Sequence, residues 1–238
     1  MTSALGWGAL AASSLVIGAV FGLLRVWPSR LVGAVLGFGA GALISAVSFD
    51  LAAEGVRLGG GVALAFGLAA GGLTYFGANR LMSRRAGSSR DPDAVSGAGP
   101  ALALGAFLDG IPEQLVLGIG LASGAGVSVG LLAAIFVSNL PEAIGSATAM
   151  RNAGRSKGAI LRLWTGVAAV CALATVVGYA ISDTSSDSFQ SSIDGFAAGA
   201  LLVMLIDSMI PEAVREAGDI AGLVTVLGFA VAAGLTLG

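Results

Sequence analysis

Residues 100–121 read PALALGAFLDGIPEQLVLGIGL, an apolar run in which Asp109 and Glu113 are the only charges. A helix of about 20 residues, rising 1.5 Å per residue, crosses the ~30 Å hydrocarbon layer of a bilayer. This run has that length, and its middle carries two carboxylates. An ionisable group at that depth costs several kcal/mol unless it is paired or hydrated, and no lysine or arginine lies in the run to neutralise these two. The stretch therefore reads as a membrane-spanning helix that does something other than span.

The next run, residues 127–149, VSVGLLAAIFVSNLPEAIGSATA, repeats the pattern. Glu142 stands slightly past its middle, with Ser138 one turn earlier and Asn139 beside it. Asp109 and Glu113 are four residues apart and share a helical face. Each run also holds a Pro-Glu pair, Pro112-Glu113 and Pro141-Glu142. Proline lacks an amide hydrogen and frees the carbonyl one turn back, here those of Leu108 and Val137. Freed carbonyls beside carboxylates suit a cation that is losing its water, and interrupted helix at membrane depth usually lines a cavity. Three carboxylates without an internal counter-charge ask for a bound divalent cation or for shared protons. A proline that merely kinks a helix for packing is the plainer alternative.

Working outward, further apolar runs occupy roughly residues 4–24, 31–51, 59–77, 159–181, 195–214 and 220–237. The expected fold is all-α and integral to the membrane, with eight transmembrane helices forming a single domain over residues 1–238. Composition agrees. Hydrophobic residues make up 56% and charged residues 11%, against roughly a quarter charged in a soluble domain, and mean hydropathy is +0.92. The 38 glycines fall largely inside the runs, where small residues let helices approach closely in lipid. Gly37/Gly41 and Gly195/Gly199 are such small-xxx-small pairs. Trp7, Trp27 and Trp164 lie near span ends, as in an interfacial belt.

Basic residues orient the chain. Arg25, Arg30, Arg80, Arg84, Arg85, Arg90, Arg151, Arg155, Lys157, Arg162 and Arg215 all fall on one side of an eight-helix arrangement, and Arg57 alone on the other. The positive-inside rule makes the crowded side cytoplasmic. Residues 78–98 then form a polar cytoplasmic loop between the third and fourth helices. Both termini of this multi-pass protein are expected outside, and no cleaved signal peptide is expected, since no positive segment precedes the first run.

An internal repeat spans the chain. Gly37-Phe38-Gly39-Ala40-Gly41-Ala42-Leu43 returns as Gly195-Phe196-Ala197-Ala198-Gly199-Ala200-Leu201, and a glutamate follows at the same distance, Glu54 and Glu212. The copies lie in spans of opposite direction, as do the two Pro-Glu motifs. Inverted repeats are common in transporters, whose halves exchange conformations around a central site. Asp50 and Glu54 near the outer end of the second span, and Asp207 and Glu212 near the inner end of the seventh, extend the acidic series into an access path. Asp183, Asp187 and Asp194 make the outer loop before the seventh span acidic.

Other chemistry is bounded by what is missing. The sequence has no histidine, so a cation site must be built mainly from oxygen. Its single cysteine, Cys171, reads as a small buried hydrophobe. The formal charge of −2 and the lack of a basic stripe with interleaved aromatics exclude a nucleic-acid partner. An intramembrane enzyme would need a nucleophile–base pair or a Gly-x-Gly-Asp motif; neither is present, and the chain reads as a non-enzyme.

Eight helices, a long cytoplasmic loop after the third, and Pro-Glu motifs in the fourth and fifth resemble the ZIP family of divalent-metal transporters. The family pattern His-Asn-x-Pro-Glu-Gly is similar to Asp109-Gly110-Ile111-Pro112-Glu113-Gln114, and its counterpart in the fifth helix to Ser138-Asn139-Leu140-Pro141-Glu142-Ala143. The resemblance implies an inverted 3+2+3 arrangement and an elevator-like alternating access. It implies metal ligands at Asp109, Glu113 and Glu142, with Ser138 beside them and Asn139 facing a second site. Aspartate replaces the family's histidine, Gly110 replaces asparagine, and the sixth span carries no carboxylate. An all-oxygen site favours hard cations, manganese or iron(II), over zinc. The metal is expected as transported substrate with no separate cofactor. The partners expected are that cation and the lipid bilayer, with a homodimer left open. A carrier of protons or of another small polar solute on the same scaffold is the alternative reading.

Overall fold

The computed structural model describes residues 1–87, 98–122, 128–182 and 186–237, and among them every regular element is helical. The chain runs through α1 (Thr2–Leu24), α2 (Ser29–Ala46), α3 (Ala53–Gly87), α4 (Ala98–Ala122), α5 (Val129–Asn152), α6 (Lys157–Ser182), α7 (Asp187–Met204), α8 (Ile210–Ala217) and α9 (Ala221–Leu237). A π-turn, Val47–Ala52, joins α2 to α3, and a second, Leu205–Met209, joins α7 to α8.

Five stretches of the described residues are long and apolar enough to cross a membrane: Thr2–Leu24, Ser29–Leu81, Val129–Asn152, Lys157–Ser182 and Asp187–Thr236. They make this an all-α, multi-pass membrane protein. The outward surface fits lipid. Phe66 and Leu223 are each 74% exposed, a poor arrangement in water and a good one among acyl chains.

Two of those stretches hold 53 and 50 residues, over twice a single crossing at 1.5 Å per residue. Each is broken at a glycine. Gly60 (φ 82°, ψ 167°) and Gly218 (φ 63°, ψ −138°) adopt backbone that side-chain-bearing residues avoid, and the helix direction changes there.

Helices pack in pairs through glycine. A Cβ at Gly195 or Gly199 of α7 would collide with the carbonyls of Leu64 or Leu68 in α3, and one at Gly67 or Gly71 of α3 with those of Ser192 or Phe196. The same reciprocal contact joins α2 to α9 (Gly41 on Thr225, Gly228 on Phe38) and α4 to α6 (Gly118 on Thr175, Gly178 on Leu115). In α1, Gly18 and Gly22 lie against the carbonyls of Leu140 and Ile144 in α5. Backbone approach of this kind is what small residues permit in lipid. Side chains fill what remains. Leu15, Ile160 and Trp164 centre one buried cluster; Leu36, Leu43, Leu117, Ile135 and Leu201 centre the other.

Two boundaries differ from the sequence reading. Helix α3 runs on to Gly87, ten residues into the expected loop of 78–98, because Ala78–Ala86 holds good helix formers and no breaker; residues 88–97 lie outside the described residues. Helix α7 begins at Asp187 rather than near 195, so Asp194 is a buried helical residue and not part of a loop. Its serines and aspartates hid a helix whose polar side chains bond one another. Asp183 lies outside the described residues. The π-turns begin at Val47 and Leu205, which stand at the same separation as Gly37 and Gly195.

Candidate cation site

Helices α4 and α5 carry the acidic residues. Asp109 and Glu113 are 6% and 2% exposed, and each is held by donors from other helices. Ser138 Oγ donates to Glu113 Oε1 at 2.8 Å and Asn139 Nδ2 to Glu113 Oε2 at 2.6 Å, so α5 satisfies both oxygens of an α4 carboxylate. Asn139 Nδ2 also donates to the carbonyl of Ile135 at 2.8 Å. Tyr75 of α3 donates to Asp109 Oδ1, and Ser208, in the second π-turn, donates to Asp109 Oδ2 at 3.0 Å. Next to Glu113, Gln114 Oε1 accepts a 2.6 Å bond from Thr175 of α6.

No ion pair is made by Asp109, Glu113 or Glu142 among the described residues. The arginines at the bundle ends pair with carboxylates there: Arg57 with Glu54, and Arg215 with Glu212 at 3.4 Å and Glu216 at 3.2 Å. At Asp109 and Glu113, hydroxyl and amide donors stand where a counter-ion would otherwise be needed.

Two polar cavities enter from opposite ends. One, of about 440 Å³, is bordered by the ends of α4 and α9, the starts of α5 and α7, and the first π-turn. Asp50, Glu54 and Asp194 line it. Ser128 Oγ stands 3.4 Å from both oxygens of Asp50; Gln190 Nε2 donates to Asp194 at 2.9 Å. The other, of about 380 Å³, is bordered by the start of α2 and the ends of α5 and α8. Asp109, Glu142, Ser208 and Glu212 line that one. The first cavity meets α4 at Val116 and Leu117, the second at Asp109, so Glu113 lies in the short segment dividing them.

Of the residues picked out in the sequence, Glu113, Ser138 and Asn139 come together, and Asp109 and Glu142 share a cavity. Asp50 and Glu54 share the opposite one. Glu212 joins the cavity of Asp109, while Asp207 is exposed and lines neither. Among the described residues no three His, Cys, Asp or Glu side chains form a group able to hold a metal ion. Tyr75 and Ser208 went unnoticed in the sequence. A phenol in an apolar run needs a partner, and Ser208 falls at the repeat position of Asp50; both were usable signals.

No family model matches the chain. A protein of Arabidopsis thaliana named "Putative zinc transporter" is 30% identical over 186 residues, 76% of this chain. The ZIP resemblance is borne out. The chain spans about 30% of the length of that relative, so the likeness covers a part of a longer protein. That relative is named as a transporter, which suggests a non-enzyme.

Proposed function

We propose that this protein carries divalent metal cations across the membrane by alternating access around Asp109, Glu113 and Glu142, with Ser138 and Asn139 as supporting groups. The observation that carries this reading is Glu113, buried in the segment between two acidic cavities that open at opposite ends of the bundle. A cation reaching Asp50, Glu54 and Asp194 meets negative charge at one end. Past the dividing segment it meets Asp109, Glu142 and Glu212. Alternating access needs the barrier to sit first on one side of the central ligands and then on the other.

The same reading takes the breaks at Gly60 and Gly218 as turns between crossings, which makes eight, with the Asp50 cavity outward, both termini outside and residues 78–98 on the cytoplasmic side. The two halves are related by inversion. In support stand the matched π-turns, the reciprocal pairing of α3 with α7 and of α2 with α9, and the Glu54/Glu212 register. An elevator-like displacement of α4 and α5 against the other helices follows from the ZIP resemblance. The cation needs no separate cofactor. The relative's name favours zinc, and the oxygen-rich centre manganese or iron(II).

Uptake of zinc, manganese and iron(II) into proteoliposomes tests this. The native protein should accumulate at least one of them, and Glu113→Ala and Glu142→Ala should abolish it. Accumulation of protons or a neutral solute without any dependence on metal would replace this reading with that of a proton or solute carrier.

A further inference from the structure

Charge is shared unevenly among the helices. Residues 1–49 and 143–182 hold Arg25, Arg30, Arg151, Arg155, Lys157 and Arg162, and not one aspartate or glutamate. These stretches cover α1, α2, the later turns of α5 and all of α6.

Packing gathers most of those cations at one place. Gly18 and Gly22 of α1 seat the carbonyls of Leu140 and Ile144 in α5, so the two helices run side by side in the same direction. Arg151 Nη1, in the last turn of α5, donates to the Leu23 carbonyl near the end of α1 at 3.1 Å. Leu23, Met150 and Ile160 share one buried cluster, so α6 starts where α1 and α5 finish. The turn between α5 and α6 is tied by its own backbone. Ala153 N–H donates to the Ala149 carbonyl at 2.9 Å, Gly154 to Arg151 at 3.0 Å and Arg155 to Met150 at 3.1 Å. Arg151, Arg155 and Lys157 thus project from one short, fixed segment.

Arg25 reaches the same end from α1. Its guanidinium stacks over the Trp27 ring at 4.6 Å. That ring is held in turn by Phe21, 5.9 Å away, and by a 3.1 Å bond from its Nε1 to the Phe21 carbonyl. Arg25, Arg151 and Lys157 make no ion pair among the described residues, whereas Arg57 and Arg215 each meet a carboxylate. Arg30 stands apart, at the start of α2, whose Gly33 lies against Glu216 of the acidic α8.

We propose that Arg25, Arg151 and Lys157 bind the headgroup phosphate of an anionic phospholipid where α1, α5 and α6 meet the leaflet. The occupant follows from charge and place. Three stretches able to cross a bilayer end or begin here, and the surface they reach is a headgroup layer that supplies phosphate. Guanidinium groups match phosphate geometry, and a tryptophan suits the boundary between headgroups and acyl chains. Exposed Phe21, Leu24 and Leu163 lie beside the cations and offer apolar surface to the chains.

Native mass spectrometry of the purified full-length protein, titrated with phosphatidylglycerol or phosphatidylcholine of matched chains, tests this. A cation near an anionic lipid surface contributes about fivefold in affinity. Wild type should therefore prefer phosphatidylglycerol by at least about fivefold, and Arg25→Gln/Lys157→Gln should lose about 25-fold of its affinity for that lipid. Both side chains are exposed, and the wild-type comparison needs no variant to fold. The charge-matched control Arg80→Gln/Arg84→Gln, at the far end of α3, should keep the wild-type affinity. Equal affinity of wild type for the two lipids, or equal losses in the two double variants, overturns the proposal. Displacement of the lipid by millimolar inorganic phosphate would make the ligand free phosphate and overturn it too. Binding is measured without metal, so each outcome leaves the transport reading untouched.

Discussion

Asn139 donates to Glu113 Oε2 at 2.6 Å from one face of its amide and leaves the other face without a partner. A residue committed to both sides of a site in this way has two separable effects. Asn139→Ala removes the donor to a buried carboxylate, a bond worth about 1.5–3 kcal/mol, and should lower cation affinity by roughly ten- to a hundredfold. Asn139→Asp restores an oxygen but adds a charge facing Glu113, and should bind cations more tightly than the alanine variant. Calorimetric titration distinguishes them; equal affinities for wild type and Asn139→Ala would detach Asn139 from the site.

Tyr75 and Ser208 share one carboxylate. Removing either hydroxyl, in Tyr75→Phe or Ser208→Ala, leaves Asp109 with one donor, and removing both leaves it bare. The double variant should lose more thermal stability than the sum of the single losses, by about 0.5–3 kcal/mol, as groups in one network couple. Additive losses would mean that the two hydroxyls act on Asp109 independently.

Position 109 carries a carboxylate where the ZIP pattern has a histidine. Imidazole favours zinc over manganese more than a carboxylate does, and it removes one negative charge from the cavity shared with Glu142. Asp109→His should raise the zinc-to-manganese uptake ratio. Competitive uptake with both ions measures it, and an unchanged ratio would show that Asp109 does not touch the cation.

Glycine packing predicts a contrast. Gly199→Ala places a methyl against the Leu68 carbonyl, which cannot yield, and should destabilise the bundle by about 1–3 kcal/mol. Gly145→Ala meets nothing within 4 Å and should be neutral or slightly stabilising. Thermal unfolding in detergent compares the two.

Topology is tested with introduced cysteines in a Cys171→Ser background. Ser156, before α6, and Ser188, in the first turn of α7, are both exposed. Ser156→Cys should react with an impermeant maleimide only from the cytoplasmic side and Ser188→Cys only from outside. Labelling of both from one side would remove the eight-crossing arrangement.

Much of the helical layout was legible because membrane spans announce themselves by length and by the charges they exclude. Asp109, Glu113 and Glu142 were legible for the same reason, as charges out of place. Asp194 was not. It shares a short polar segment with Asp187, Ser188 and Gln190, and polarity alone does not distinguish a loop from a helix start whose polar groups bond one another. Tyr75 was lost among the aromatics of α3, where a phenol matters only once its partner on another helix is known.

Backbone resting on backbone makes stiff beams. Where a glycine seats a neighbour's carbonyl in its missing side chain, sliding one helix along its mate would drive oxygen into Cα. The pairs α3–α7, α4–α6 and α1–α5 therefore resist internal shear, and relative movement is left to the joints between them. Asp109 sits in one beam and is fastened to Tyr75 of a second, and to Ser208 in the π-turn that follows α7. Glu113 is fastened across the opposite joint to Ser138 and Asn139 of a third. The same oxygens proposed to receive a cation are thus the rivets between the beams, and under that proposal an ion that claims them would loosen the joints it must pass.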